Sequence, residues 1–131
     1  MPLFPVSRDA ETADFFDGTA RGEFLLVRNR ESGEVFDPQF DTALDPARYE
    51  RFAASGGAKV VSWSVVHGRG ADGAPTRTVV GIVELDEGPW WWTEISGVDP
   101  DANLMNTRVT VSFVRTGGGG LDEVIPIFVG V

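Results

Sequence analysis

From Ala58 onward, apolar and polar residues alternate with a period of two, which is the pattern of half-buried strands. Lys59–His67 (KVVSWSVVH) puts Val61, Trp63 and Val65 on one face, with Ser62 and Ser64 on the other. Arg77–Asp86 (RTVVGIVELD) is apolar on both faces, as in a strand well covered inside a barrel or sandwich. Trp90–Ser96 and Arg108–Val114 follow, the latter with Val109, Val111 and Phe113 on its inner side. Val124–Val129 reads as a fifth strand. Pro126, which has no N–H to give a ladder, confines it to an edge or a bulge. The connections are Gly68–Pro75, Glu87-Gly88-Pro89, Gly97–Thr107 and Gly117–Gly120, all rich in turn formers. The last is the only low-complexity stretch and reads as a flexible hairpin loop. No internal repeat is present.

The front of the chain reads differently. Ser7 or Asp9 caps a first helix running to about Ala20, with Ala13, Phe16 and Ala20 on one face and Gly22 as its stop. Glu23–Asn29 then reads as a strand. A second helix is expected from Asp45 at N-cap, Pro46 at N1, the i, i+3, i+4 set Tyr49, Phe52 and Ala53, and the stop Gly56-Gly57. Arg30–Leu44 between them shows little regular structure. Five strands without intervening helices of 10–15 residues argue against a parallel βαβ sheet. The expected fold is mainly β with N-terminal helices, and its barrel is a five-stranded antiparallel one, the OB-fold being the known example.

Composition narrows the function. The 131 residues suit one domain, and 42% are hydrophobic, enough for a core. With no cysteine and one histidine there is no disulfide, no thiolate nucleophile, and no Cys-type or poly-His metal site. Twenty acidic against eleven basic residues give a net charge of −9, which opposes nonspecific attraction to nucleic acid or to an anionic membrane. No apolar run approaches the roughly 20 residues of a membrane span. The start, Met-Pro-Leu-Phe-Pro-Val-Ser-Arg, lacks the pattern of a signal peptide. The expectation is a cytoplasmic protein.

Familiar catalytic motifs fail one by one, so no catalytic residue and no metal ligand is assigned. Gly68-Arg69-Gly70-Ala71-Asp72-Gly73 matches a G-x-G-x-x-G string, but a strand follows it where a dinucleotide site needs a helix. Asp99-Pro100-Asp101-Ala102-Asn103 lacks the later Gly and Glu of a calcium loop and reads as a turn. His67 has no Ser or Cys partner at a recognisable spacing and reads as a rim histidine. Asp86-Glu87 and Asp122-Glu123 flank turns, and neighbours in a strand point to opposite faces, so neither pair makes an acid/base dyad. Trp90-Trp91-Trp92 stands out. Alternation sends Trp90 and Trp92 to one face and Trp91 to the other. Core packing accounts for one or two indoles, and the remainder serves contact with a ligand or partner.

Thr12–Asn29, Ser55–His67 and Val79–Pro89, together with Ser96–Asp101 and Ile125–Phe128, resemble the family known as domain of unknown function thirty-five. The phrase Val83-Glu84-Leu85-Asp86-Glu87-Gly88-Pro89 is the most specific part. The resemblance implies an N-terminal helix and a zinc ribbon in residues 1–57, and an OB-fold barrel in residues 58–131, forming one compact domain overall. Relatives carry Cys-x-x-Cys pairs in the ribbon. Here Asn29-Arg30-Glu31-Ser32-Gly33 stands at the first pair and the Asp45–Gly56 segment at the second. The zinc site does not carry over, and Phe36, Phe40, Tyr49 and Phe52 are left to hold the region by apolar packing.

The resemblance also implies function by association. Family members are similar to accessory subunits of thiolase-superfamily enzymes, thiolases and acyl-CoA side-chain retro-aldolases, with lipid or steroid metabolism as the setting. The larger partner holds the catalytic residues, and the OB-fold helps bind or pass coenzyme A thioesters; no tightly bound cofactor is expected. On that reading Arg69, Arg77 and His67, around the glycine-rich loop, are the CoA-binding candidates, and Trp90, Trp91 and Trp92 form the partner interface. Two alternatives stand beside it. A nucleic-acid-binding OB-fold would use the aromatic strand but normally shows a positive groove. A hydrolase with His67 as base lacks a paired nucleophile.

Overall fold

The computed structural model describes residues 12–116 and 123–131. The Ser7 or Asp9 cap and the Gly117–Gly120 loop lie outside the described residues. Helix α1 (Ala13–Ala20) begins after Thr12 and buries Phe16, Gly18 and Thr19. Its end is a Schellman motif: Glu23 N–H donates to Gly18 O and Gly22 N–H to Thr19 O, with Gly22 at φ 78°. Only glycine takes that left-handed conformation freely, which is why the helix stops there. The Thr19 hydroxyl donates to Val124 O at 2.6 Å and ties the helix to the last strand.

Three short strands follow as one sheet, ordered β2–β1–β3: β1 (Leu25–Asn29), β2 (Val35–Phe36) and β3 (Tyr49–Ala53). The second helix expected between Asp45 and Gly56 is absent. Residues 45–48 form turns, and Tyr49–Ala53 pairs antiparallel with β1 from Leu25↔Ala53 to Asn29↔Tyr49. The pattern Tyr49, Phe52, Ala53 spans barely one helical turn, too short to form alone. Pairing instead satisfies the backbone of β1 and sets Arg28 opposite Glu50, 2.9 Å apart. Asp45 does not cap a helix; it takes Arg48 at 3.0 Å within the turn. The stretch expected to be irregular contributes β2. There Phe36 and Phe40 stack at 4.0 Å, and Tyr49 meets their edges at 6.1 and 5.0 Å. Phe52 instead lies under the Arg28 guanidinium, 4.4 Å away.

The remaining strands are β4 (Gly57–Arg69), β5 (Pro75–Leu85), β6 (Trp90–Ser96), β7 (Arg108–Arg115) and β8 (Val124–Gly130). They close as a barrel in the order β4–β5–β6–β8–β7. Four neighbour pairs are antiparallel, but β6 and β8 run parallel at Ile95↔Phe128 and Ser96↔Val129. The expected all-antiparallel barrel is therefore corrected. Directions cannot alternate around a ring of five, so one neighbouring pair has to be parallel. Because β8 touches β6 only at its end, Pro126 has a ladder partner on one side alone, Phe113 of β7.

A bulge also breaks the simple alternation of β4. Val60 pairs with Val83 but Ser62 with Ile82, so Val61 is the extra residue. Ala58 and Val60 point inward before it, and Trp63 and Val65 after it. Gly81 sits where the strands approach closely, since a Cβ there would collide with Ser62 O and Trp63 Cα. Phe24 and Leu26, from beside and within β1, share one core with Val60, Val79, Val83, Leu85, Ile95, Val109 and Phe128. The sheet and the barrel are thus packed as one body. No helix among the described residues is long and apolar enough to cross a membrane.

Candidate functional site

Strand β6 decides where the three indoles go. Trp91, Thr93 and Ile95 face inward, and Trp91 packs 5.1 Å from Phe24 and 5.7 Å from Phe15. Trp90 and Trp92 face outward and are 59% and 66% exposed. Register sets Trp90 beside Glu84 and Trp92 beside Ile82 on β5, with Glu94 beside Val80. Val66, 49% exposed, continues that outer surface on β4, where it pairs with Thr78. The outer face of β5 and β6 is therefore an indole-bearing surface left open to solvent.

Two depressions flank it. One, of about 540 Å³, runs from Trp90 and Gly88-Pro89 to the stacked Phe36 and Phe40. The other, of about 1120 Å³, opens where β6 and β8 diverge; its lining includes Trp92, Glu94, Ile125, Ile127, Phe15 and Arg51. Both share Gln39 and Phe40. Burial pushes the Glu94 carboxyl above the usual carboxylate range. Arg51 is held by Asp14 at 3.2 Å. Charge near the indoles is thus predominantly acidic, with Asp37 and Asp41 on the intervening loop.

The glycine-rich loop closes the β4–β5 hairpin, and no helix follows it. Gly70 N–H donates to Ala74 O and Gly73 N–H to Gly70 O, which makes a tight turn. His67 and Arg77 are cross-strand partners, and Arg69 lies opposite Pro75, so the three share one side of the hairpin. Their donors are already engaged in part. Arg69 Nη1 donates to Gly73 O at 2.9 Å, and Arg77 Nη1 to Asp101 Oδ1 at 2.6 Å. That hydrogen bond and the Asp101 charge raise the Arg77 pKa further. The Asp99 region forms a turn, with Asp101 N–H donating to Asp99 Oδ1. Asp86 is held by a two-point pair with Arg108, at 2.8 and 3.0 Å, which keeps its carboxyl below the usual range. Among the described residues, no cluster of three His, Asp or Glu side chains could hold a metal ion.

Comparison with known proteins follows the barrel. Residues 52–114 match the family model described as ChsH2, C-terminal OB-fold domain. Over 95% of its length the chain superposes on 98% of a chain from the solved Ltp2-ChsH2(DUF35) aldolase, with TM-score 0.75 and 19% identity. The barrel has an OB-fold and is similar in this to the DUF35 chain of that aldolase. No curated protein sequence matches the chain. In OB-folds generally, the face of the second and third strands binds ligands. In this barrel those strands are β5 and β6, and β6 carries Trp90 and Trp92 outward.

Sequence reading singled out the indoles but missed their neighbours. Ile82, Val80 and Glu94 join Trp90 and Trp92 only through strand register, and the loop bearing Phe40 and Asp41 only through the tertiary fold. One signal was available. Glu94 and Ser96 share parity with Trp90 and Trp92, and a charged residue belongs on the outer face. The structure does not bring the hairpin residues His67, Arg69 and Arg77 into either flanking depression.

Proposed function

We propose that this chain is a non-catalytic accessory subunit that docks on a thiolase-superfamily partner and takes part in handling its acyl-CoA. The observation that carries this reading is the pair of exposed indoles on the outer face of β6. An indole left in water forgoes about 2–3 kcal/mol of burial. Trp is also over-represented among residues that dominate protein interfaces. The likeness to a chain of the Ltp2-ChsH2(DUF35) aldolase supports assembly with a partner protein, and the thiolase-superfamily nature of that partner rests on the family resemblance. Net charge −9 and the acidic surroundings of the indoles weigh against nucleic acid.

The acyl-CoA part rests on the family resemblance, and the β4–β5 hairpin is its proposed phosphate contact. CoA would have to draw Arg77 away from Asp101. The test is co-expression with thiolase-superfamily proteins of the same genome, followed by mass in solution and acyl-CoA turnover. The reading expects a stable hetero-oligomer with turnover that the partner alone lacks. Full activity of the partner alone, with no co-elution, contradicts it. Within that complex, unchanged CoA affinity after Arg69→Ala with Arg77→Ala rejects the hairpin while leaving the docking role standing.

A further inference from the structure

Trp90 and Trp92 stand at i and i+2 on the same side of one strand, so their Cβ atoms lie about 6.8 Å apart. Carbon contacts are optimal near ~3.5 Å, so this spacing leaves room for one planar layer between two indoles. A guanidinium and a nucleobase are two planar groups that stack on indoles. The surrounding charge separates them. Glu94 occupies the next outward position, Glu84 lies opposite Trp90, and Asp37 and Asp41 sit on the adjoining loop. Of the described cations, Lys59 is placed on this face by register, and Glu84 holds it at 3.4 Å. Arg51, across the cleft, is held by Asp14. A nucleotide would bring phosphates against carboxylates. A guanidinium brings the complementary charge and stacks well on indole.

We infer that the Trp90–Trp92 face is an arginine clamp. The partner protein presents an arginine on an apolar segment, its guanidinium lies between the two indoles, and the Glu94 carboxylate pairs with it. The apolar flanks of that segment are received by Ile82 and by the Ile125–Ile127 side of the cleft, which Trp92 and Glu94 also border. This inference rests on the docking role proposed above and gives the chemistry of the surface that docks.

The probe is a blocked Leu-Arg-Leu peptide, compared with its citrulline and lysine counterparts. Citrulline keeps the planar shape without charge, and lysine keeps the charge without the plane. Binding is followed by the indole N–H resonances of Trp90 and Trp92 in the full chain. The arginine peptide is expected to give saturable shifts at both indoles, with both counterparts weaker by about tenfold, equivalent to roughly 1.4 kcal/mol. Glu94→Gln should weaken the arginine peptide and leave the citrulline peptide unchanged. Equal response to the three peptides, no response, or stronger binding of AMP at the same resonances overturns the clamp. Shifts produced only by deleting residues 1–11 assign the slot to the chain's own Arg8 and also overturn it. Co-elution with the thiolase-superfamily partner separates the two levels. If Trp90→Ala with Trp92→Ala leaves co-elution intact, docking through this face fails. If co-elution is lost but the peptides show no arginine preference, docking stands and the clamp alone fails.

Discussion

Within β6, Trp91 turns inward to Phe24 and Phe15, whereas Trp90 and Trp92 turn outward and stay 59% and 66% exposed. One residue type on one strand occupies two environments. The inward indole joins the N-terminal helix to the barrel, because Phe15 belongs to α1 and Phe24 precedes β1. The outward pair joins nothing among the described residues in the way Trp91 does. The β4–β5 hairpin sharpens the contrast. Its arginines are polar groups already matched within the chain, Arg77 by Asp101 and Arg69 by Gly73 O. A matched cation has less to gain from a new partner than an indole still in water. For recognition, this directs attention to β6 before the hairpin.

The largest effect is expected on the inward side. Trp91→Ala should lower stability by about 3 kcal/mol, the low end for a buried aromatic because Trp91 is only half-buried; a shift in the urea midpoint of unfolding checks it. A loss below about 1 kcal/mol would mean that the helix and barrel are held together without this indole. Next comes the aromatic cluster of the small sheet. Phe40→Ala removes both the 4.0 Å stack on Phe36 and the edge contact with Tyr49. It should cost about 1–2 kcal/mol, since each aromatic pair adds roughly 0.5–1.5 kcal/mol beyond area burial. The melting temperature of the variant reads this directly.

A smaller effect belongs to the exposed Asp86–Arg108 pair. Asp86→Asn should cost less than about 1 kcal/mol at neutral pH, because solvent screens such pairs. Arg108 lowers the folded carboxyl pKa, so the pair's contribution is present above the unfolded value of about 3.9. It is lost as pH falls through the lower folded value. The difference between wild type and variant should therefore vanish in acid, as denaturant unfolding over a pH series will show. Smallest of all, Trp90→Ala and Trp92→Ala should each change stability by no more than about 0.5 kcal/mol, as for ordinary surface positions.

The barrel strands were legible because alternation survives wherever one face is buried. The bounds of β6 coincide with the sequence reading, and β4 and β5 depart from it by two residues or fewer at each end. The failures lie where the answer depends on distant pairing. Tyr49–Ala53 looked helical locally, but β1 supplied a ladder no local pattern announces. The Val61 bulge and the parallel β6–β8 closure are likewise properties of the closed ring. At the site, alternation separated Trp91 from its neighbours but did not by itself say which side was inside. That choice follows from Thr93 and Ile95 sharing parity with Trp91. The cleft was illegible because α1, the loop around Phe40 and β8 contribute to it from distant positions.

The outer face of β6 is proposed as a docking surface. It is tested most directly by the mass in solution of the chain co-expressed with the thiolase-superfamily partner proposed for it, wild type against Trp90→Ala with Trp92→Ala. Unfolding is followed in parallel to show that the fold is retained. A hetero-oligomer that forms with the wild type and falls apart in the double variant, with stability unchanged, is the predicted result. A double variant that is equally folded and assembles as well as the wild type would contradict the claim.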